Sequence, residues 1–374
     1  TLVDPMSLCV NAAGDVYVSD FSQNLLRAFQ VAPPTVPTAA PSPPTMAAQT
    51  WVAGTVAGAG VVDGTLAVAE LGKAAGVVCD TLTSDVLLTT YSNNVIRRVS
   101  VLGRANSFVG SGVAGSTPGI RLAAELKIPY GIAVDGSGSA FVTEFTACIV
   151  AKITAAGTKS NLAGDVGSCT HATGTTTGRL QSPIGITISG TVLRVVEFAG
   201  LYVDTVDATN GDVQLLAGSG TSGFTDGPSY HAQFNAPNFC GVDSAGNTFV
   251  SDGGNFAIRK IDLAGQTTTV AGTGASGSSD NAVGVYATFD GTHGIAIDAN
   301  DYVLVAERTA ASIRLVAPNG LVSTLLSTNL VDPMSLCVNS AGDVYVSDYS
   351  QNLLRAYQVS PPTAPTAAPS PPTM

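Results

Sequence analysis

The sequence predicts an all-β protein, because its composition suits short strands and tight turns and because one strand-rich unit recurs along the chain. Only 11% of the 374 residues are charged, 45% are hydrophobic and 41 are glycine. A chain of this length can bury a substantial core. Its Gly, Val, Thr, Ser and Ala content favours strands joined by turns over long helices.

The recurring unit is an alternating strand that ends at a small turn and is followed by three more short strands. Clear copies are PYGIAVDGSGSAFVTE (129–144), APNFCGVDSAGNTFVSD (236–252) and THGIAIDANDYVLVAE (292–307). The turn anchors of these copies and of two weaker ones are 54 or 55 residues apart: Asp80, Asp135, Ser189, Asp243 and Asp298. A four-stranded unit with this spacing is typical of one blade of a β-propeller.

Residues 215–261 resemble an NHL repeat. They contain AGSGTSGFTDG, AQFNAPNFCGVD, GNTFVSD and NFAIRKI in the order that this family uses. The resemblance covers the chain except two proline-rich stretches, and it implies a β-propeller. Two units depart from the pattern: one ends in Thr90 where an acid is expected, and another has LYVDTV (201–206) in place of the IRK run.

A long duplication sets the predicted number of blades. Residues 2–46 recur as residues 330–374 with five differences, which are Ala12/Ser340, Phe21/Tyr349, Phe29/Tyr357, Ala32/Ser360 and Val36/Ala364. We predict a six-bladed, NHL-like propeller over residues 47–359, closed so that no sheet edge stays exposed. Residues 1–31 are then the last blade of a preceding propeller, and residues 32–46 and 360–374 are proline-rich linkers.

The strand TWVAGT (50–55) is expected to close the ring, since the unit at 330–359 lacks a fourth strand. Two alternatives stay open. TWVAGT could complete residues 2–31, or all seven units could share one ring.

The two linkers are predicted to be extended polyproline II spacers, because proline fixes φ and lacks a backbone N–H group. Their alternation of Pro with Ser, Thr and Ala resembles the hydroxyproline-rich, O-glycosylated segments of algal and plant wall or flagellar-surface proteins. The chain has no N-x-Ser/Thr sequon, so O-linked glycans are the kind expected. The candidate hydroxylation and glycosylation residues are Pro33, Pro34, Thr35, Pro37, Thr38, Pro41, Ser42, Pro43, Pro44, Thr45, Pro361, Pro362, Thr363, Pro365, Thr366, Pro369, Ser370, Pro371, Pro372 and Thr373.

These features predict a secreted structural protein, the repeat unit of an extracellular fibre or coat that self-associates or is linked in tandem. The alternatives are a cell-surface propeller that binds carbohydrate or protein, and a metal-dependent propeller lyase. A net charge of −11 without a basic cluster argues against a nucleic-acid partner. No apolar run is long enough to predict membrane insertion. No cofactor is expected, and since no familiar catalytic motif occurs, the chain is predicted not to be an enzyme.

The cysteines are expected to divide into two groups. Cys148 and Cys169 lie in connections that emerge on the same face of a propeller, so a disulfide between them is predicted. The remaining four fall on innermost strands and are expected to be buried small hydrophobic side chains: Cys9, Cys79, Cys240 and Cys337.

No metal site is predicted, although three histidines suggest an alternative. His171, His231 and His293 fall in or just after the loops of three successive blades, so a zinc site built from them is the alternative to ordinary surface histidines. Only His293 is expected at the mouth of the central channel.

The acids at strand ends are expected to accept backbone N–H groups from the turn that follows each of them. They are Asp20, Glu144, Glu197, Asp252, Glu307 and Asp348. A calcium-binding ring of carboxylates is the alternative.

Overall fold

The computed structural model describes residues 5–10, 15–20, 25–30, 45–54, 60–100, 102–174 and 178–360. The chain divides into two compact units. The smaller unit holds an antiparallel sheet with the strand order β1-β2-β3, formed by β1 (Pro5–Val10), β2 (Asp15–Asp20) and β3 (Leu25–Gln30).

The larger unit, residues 46–360, is a six-bladed β-propeller, which confirms the predicted fold class. Each blade is an antiparallel sheet, and the innermost strands of the six blades adjoin one another in a closed ring. The strands, in chain order, are β4 (Thr45–Ala53); in blade 1 β5 (Gly64–Thr65), β6 (Ala74–Cys79), β7 (Val86–Thr90), β8 (Val95–Ser100) and β9 (Arg104–Val109); in blade 2 β10 (Gly119–Ile120), β11 (Pro129–Val134), β12 (Ala140–Glu144), β13 (Ile149–Ile153) and β14 (Thr158–Gly164); in blade 3 β15 (Pro183–Ser189), β16 (Val192–Glu197), β17 (Tyr202–Asp207) and β18 (Val213–Ala217); in blade 4 β19 (Gly227–Pro228), β20 (Pro237–Val242), β21 (Thr248–Asp252), β22 (Ala257–Ile261) and β23 (Gln266–Ala271); in blade 5 β24 (Thr292–Ile297), β25 (Val303–Glu307), β26 (Ser312–Val316) and β27 (Val322–Leu326); and in blade 6 β28 (Pro333–Val338), β29 (Val344–Asp348) and β30 (Leu353–Ser360).

Helical structure in the described residues is limited to short 3₁₀ helices. These are Arg121–Ala123, Ser229–His231, Gly253–Asn255, Gly284–Tyr286 and Tyr349–Gln351. None of the helices in this part of the chain has the length and hydropathy needed to cross a membrane.

The ring is closed by a strand that precedes the first blade in the sequence. Strand β4 lies at the outer edge of blade 6, in the order β28-β29-β30-β4. The segment containing TWVA therefore completes the unit at 330–359 and not the copy at 2–31. Strand β4 begins at Thr45 and β30 ends at Ser360, so both reach into the predicted linkers.

A disulfide that the sequence analysis did not predict joins the first blade to the last. Cys79 at the end of β6 is bonded to Cys337 in β28, with their Cα atoms 5.7 Å apart. The expectation that both were unpaired hydrophobic side chains was wrong, because it treated the inner strands one at a time. Closing the ring makes β6 and β28 neighbours although 258 residues separate the two cysteines.

The inner strands approach one another closely at a repeated glycine. A side chain on Gly76 would collide with the carbonyl oxygen of Tyr130, and one on Gly131 would collide with that of Ile184. A hydroxyl on the second strand also bonds to the neighbouring blade: in blade 2, Thr143 Oγ1 donates to the Ile184 carbonyl oxygen at 2.7 Å. Glycine at this position of the inner strand is therefore required for packing between blades.

The anchor residues shape the turn between the first and second strands of a blade. In blade 4, Asp243 Oδ1 accepts the N–H groups of Ala245 and Asn247 at 3.1 and 2.8 Å. Asn339 accepts equivalent bonds in blade 6, from Ala341 and Asp343. Asx turns of this kind explain why Asp or Asn recurs at this place in the repeat.

Candidate functional site

The mouth of the central channel is built from two sets of equivalent positions, one residue of each set from every blade. The first set consists of the residue at position two of each innermost strand. The second set consists of the residue directly after the neighbouring strand, which is the second strand of the blade. The first comprises Ala75, Tyr130, Ile184, Asn238, His293 and Met334, and the second comprises Tyr91, Phe145, Phe198, Gly253, Arg308 and Tyr349.

Aromatic rings cover one side of this mouth. Tyr130 lies at the centre, with its ring centroid 5.9 Å from that of Tyr91 and 6.0 Å from that of Phe145. Phe198 extends the wall beyond Phe145 at 6.5 Å, and Tyr349 extends it beyond Tyr91 at 6.4 Å. These rings, together with side chains from the inner strands, line a cavity of about 380 Å³.

The opposite side of the mouth is open and polar. Blade 4 has Gly253 where other blades have an aromatic ring, and blade 5 has Arg308. Arg308 forms a two-pronged ion pair with Asp332, with Nε–Oδ1 and Nη2–Oδ2 distances of 2.6 and 3.0 Å. These groups line an adjoining cavity of about 360 Å³ that also reaches Asn238 and His293.

The Arg308–Asp332 pair stays ionised. Its hydrogen bonds raise the pKa of Arg308 above the ordinary value. Burial acts to raise the pKa of Asp332, but hydrogen bonds from Arg308 and from the Ser350 hydroxyl outweigh it and hold that pKa below its usual range. The polar wall therefore carries one full charge of each sign and no net charge.

His293 lies at the junction of the two walls and is neutral. Burial, assisted by the charge of Arg308, lowers the pKa of this imidazole to about 3. Nδ1 lies 2.9 Å from the Met334 carbonyl oxygen, which can only accept, so Nδ1 carries the proton. Nε2 is left as an acceptor, with the Tyr130 hydroxyl 3.4 Å away.

The other end of the channel is lined mainly by apolar side chains of the six inner strands, with the Cys79–Cys337 disulfide among them. The cavity there is about 210 Å³. Groups suited to recognising a polar ligand are therefore concentrated at the mouth on the Tyr130 side.

The three histidines of the alternative zinc site have different surroundings. His293 lies at the channel mouth as expected. His231 ends a 3₁₀ helix and packs against the exposed Tyr230 ring, with centroids 4.4 Å apart. His171 lies beside Glu197 and Asp204 in blade 3, and within the described residues this trio is the group with the spacing of metal ligands.

The two carboxyl groups of the trio are buried, and His171 is partly buried. Burial raises the pKa of Glu197 to about 8, and burial together with the nearby Glu197 carboxylate raises the pKa of Asp204 well above its usual value. The His171 ring stacks on Tyr202 with a centroid distance of 3.8 Å.

The strand-end acids accept backbone N–H groups, but from a different segment than predicted. Asp252 accepts from Asn235 at 2.7 Å and Glu307 accepts from Asp290 at 2.8 Å. Both donors belong to the loop that enters the blade, whereas the prediction named the turn that follows the acid. The side chain of Asp20 lies outside the described residues.

The remaining sequence predictions are placed as follows. Cys148 and Cys169 form a disulfide with a Cα–Cα distance of 5.2 Å, and Cys240 is a buried free thiol. The side chain of Cys9 lies outside the described residues. The hydroxylation and glycosylation candidates of both linkers also lie outside the described residues, apart from the backbone of Thr45 at the start of β4.

The aromatic wall was missed in the sequence, although a signal for it exists. In four units of the propeller an aromatic residue follows the end of the second strand directly, as Tyr91, Phe145, Phe198 and Tyr349. In the closed ring these positions converge on the channel axis. Aligning the repeats by this position would have identified the wall.

Comparison with known proteins identifies the fold. No family model and no curated protein sequence matches the chain. Solved structures do match. An auxiliary nutrient binding protein from Bacteroides thetaiotaomicron has a TM-score of 0.60 at 14% identity, over 93% of this chain and 83% of that one. A gluconolactonase from Xanthomonas campestris has a TM-score of 0.57 at 10% identity, over 89% and 99%. Virginiamycin B lyase from Staphylococcus aureus has a TM-score of 0.51 at 14% identity, over 80% and 87%.

These comparisons correct one prediction. The chain was predicted not to be an enzyme because familiar catalytic motifs are missing. The same fold serves a lyase and a gluconolactonase in the proteins above, so the lack of such motifs does not separate this chain from enzymes.

Proposed function

We propose that this protein is a secreted propeller that binds a neutral carbohydrate, or a ring derived from one, at the mouth of its central channel. One observation carries the proposal: a wall of aromatic rings faces a wall of hydrogen-bonding groups across a cavity of about 380 Å³. The volume is within the range of about 300–1,000 Å³ that is common for small-molecule sites.

The two walls match the two kinds of surface on a sugar ring. Its C–H faces are apolar and pack on aromatic rings, which supply large rigid contact area. Its hydroxyl edges need partners that both donate and accept. Asn238, the Arg308–Asp332 pair and the acceptor nitrogen of His293 offer both.

The charge of the site favours a neutral ligand. Arg308 is the cation of the polar wall, and its Nε and Nη2 groups both donate hydrogen bonds to the Asp332 carboxylate. An anionic ligand would have to displace Asp332 or approach it, and each option costs electrostatic energy. A neutral polyhydroxylated ring can bind without breaking the pair.

Two further observations support the proposal. The two disulfides are typical of proteins that fold in an oxidising compartment, which supports a secreted or cell-surface location. The fold serves a binding role in the auxiliary nutrient binding protein of Bacteroides thetaiotaomicron.

We also infer that the repeats are of the NHL type. This is supported by an acid that is followed seven residues later by Arg, as in Asp252 and Arg259.

Removal of one ring from the aromatic wall is expected to weaken carbohydrate binding. We expect Phe145→Ala to raise the dissociation constant about tenfold or more, because loss of a stacking ring costs about 1.4 kcal/mol or more. Isothermal titration calorimetry against a panel of neutral mono- and disaccharides, with gluconate as the anionic comparison, measures this. Hydrolysis of the glycosidic bond in the disaccharides of the panel is followed in parallel to detect turnover.

Tyr286→Ala is the matched control, because this tyrosine is 67% exposed and does not line the cavity. It should bind as the wild type does. The proposal fails if no neutral sugar in the panel binds, if gluconate binds more tightly than all of them, or if both variants lose affinity equally.

A second proposal concerns the linkers and the duplicated blade. We propose that such propellers are connected, in tandem or by self-association, into an extracellular fibre or coat whose proline-rich spacers carry hydroxyproline and O-linked glycans. The support is the duplication of residues 2–46 as 330–374, which copies the spacer together with the blade. Strand β4 closes the propeller with the second copy, so the first copy is not needed for closure.

This second proposal predicts filaments and added mass. Negative-stain electron microscopy of the natively purified protein should show strings of particles, and mass spectrometry of peptides spanning 33–45 and 361–373 should show pentose or hexose additions. A variant with Ala at every Ser and Thr of both segments is the control for glycans on Ser and Thr, and sugar mass that remains in it is carried by hydroxyproline. Single particles with unmodified spacers would contradict the proposal.

A further inference from the structure

One position on the third strand carries a cation in most blades. This position pairs across the sheet with the residue that lies two places before the acid at the end of the second strand. The pairs Val250–Arg259 and Val305–Arg314 are examples. A shift in register between the third and fourth strands occurs at this same residue in blades 1 to 5, which directs its side chain in the same way each time. The residues at this position are Arg97, Ala151, Asp204, Arg259, Arg314 and Arg355 in blades 1 to 6.

The cation neutralises the buried acid at the end of the second strand. Each such acid outside blade 3 has a partner at ion-pair distance: Glu144–Lys159 at 2.7 Å, Asp252–Arg259 at 2.7 Å, Glu307–Arg314 at 3.2 Å and Asp348–Arg355 at 3.0 Å. In blade 2 the position is occupied by Ala151, which has no charge, and Lys159 of the fourth strand pairs with Glu144 instead. Blade 1 has Thr90 in place of the acid, and its Arg97 pairs with Asp63.

Blade 3 has the opposite charge at this position. Asp204 lies opposite Val195, in the register that Arg259 has in blade 4, and it faces the strand-end acid Glu197. Both carboxylates have fully buried side chains. Two adjacent buried carboxylates are costly when both are ionised, and no Arg or Lys of the described residues lies at ion-pair distance from them.

The oxygens of these carboxylates are largely unpartnered. Neither oxygen of Asp204 has an N–H donor, and neither does Glu197 Oε2, although the two carboxyl groups lie close enough to share a proton with each other. The approaching side chain is His171, whose Nδ1 lies 3.2 Å from Glu197 Oε1 and 3.5 Å from Asp204 Oδ2. One ligand atom from each of the three residues lies within 4.8 Å of the others. Two buried carboxylates that face one imidazole nitrogen at these distances are a donor set suited to a metal ion.

We propose that His171, Glu197 and Asp204 bind a divalent transition-metal ion, with Zn²⁺ as the expected ion, in the place that a guanidinium occupies in four other blades. Imidazole with two carboxylates is a donor set that Zn²⁺ accepts, whereas Ca²⁺ and Mg²⁺ prefer oxygen ligands alone. The ion would join an inter-blade loop to two strands of blade 3. Stacking on Tyr202 holds the His171 ring toward the carboxylates.

The site differs from the one proposed at the channel mouth. It lies within a blade, at the loop that enters blade 3, and none of its three residues lines the mouth cavities. Its failure would leave the carbohydrate proposal untouched, and the reverse also holds.

The test compares zinc binding by the wild type with that by variants. Chelator-treated protein is titrated with ZnCl₂ by calorimetry, with CaCl₂ and MgCl₂ as comparison ions, and thermal unfolding is recorded with and without zinc. We expect one zinc ion per chain and a higher melting temperature when it is bound. His171→Ala should weaken zinc binding at least tenfold, and His231→Ala, at an unrelated loop position, should leave it unchanged.

Asp204→Arg provides the decisive variant, because it gives blade 3 the residue that four other blades already have. It should remain folded, lose zinc binding and show the same melting temperature with and without zinc. If Asp204→Arg is unstable, Asp204→Asn serves in its place with the same expected loss of binding. The proposal is overturned if wild-type protein binds no stoichiometric zinc, if Ca²⁺ or Mg²⁺ binds more tightly than Zn²⁺, or if these variants bind zinc as tightly as the wild type.

Discussion

Removal of the Cys79–Cys337 disulfide is expected to lower the free energy of unfolding by about 5 kcal/mol. The bond joins residues 258 apart in sequence, and a crosslink over so long a loop removes much of the conformational entropy of the unfolded chain. It also joins the first blade to the last, where the ring closes. Chemical denaturation of the double variant Cys79→Ala, Cys337→Ala measures the loss.

The second disulfide is the internal control, since Cys148 and Cys169 are only 21 residues apart. Replacing that pair by alanine should cost about 3 kcal/mol, and the difference of about 2 kcal/mol follows from the logarithm of the loop lengths. If removing either disulfide lowered the free energy of unfolding by the same amount, the length of the closed loop would not determine how much each bond stabilises the protein. No loss of stability in Cys79→Ala, Cys337→Ala relative to the wild type would show that the ring-closing bond does not stabilise the fold.

Replacing Arg259 by methionine is expected to destabilise the protein by about 3–5 kcal/mol, because it leaves a buried charge without its partner. The Arg259 side chain is fully buried, and its guanidinium lies 2.7 Å from both Asp252 and Asp226. It also donates to the carbonyl oxygens of Gln233 and Thr225, both at 2.9 Å, in the loop that enters blade 4. Urea denaturation at neutral pH measures the effect.

The loss in Arg259→Met should depend on pH. Burial already raises the pKa of Asp252, and losing the arginine raises it further, so the folded variant binds a proton more readily than the unfolded chain. Its deficit relative to the wild type should therefore shrink as the pH falls toward the ordinary aspartate pKa of about 3.9. Lys260→Ala, the outward-facing neighbour, should cost less than about 1 kcal/mol. A deficit that is the same at every pH would argue that packing, and not the uncompensated charge, causes the loss.

The blades were predictable because each is a local repeat. The alternation of GIAVD and the Asp-anchored turn are decided within a few residues, and their recurrence every 54 or 55 residues gave both the fold class and the identity of the inner strands. The position of His293 at the channel mouth followed from the same alignment, because it occupies the second place of an inner strand.

The aromatic wall and the blade 3 trio were not predicted, because each unites residues that are distant in sequence. Tyr91 and Tyr349 meet only when six blades close into a ring. Glu197 and Asp204 are seven residues apart, and a strand pairing is needed to bring them face to face. The departure LYVDTV was visible in the sequence, but its meaning depends on knowing that an arginine fills that position in neighbouring blades.

The sequence by itself determined that this chain forms repeated four-stranded sheets, since strand periodicity and turn chemistry act over short range. The tertiary structure decided how the ring closes, which cysteines pair across it, and which side chains share the channel mouth. Those outcomes depend on which inner strands become neighbours, and that is set by the packing of whole blades around one axis.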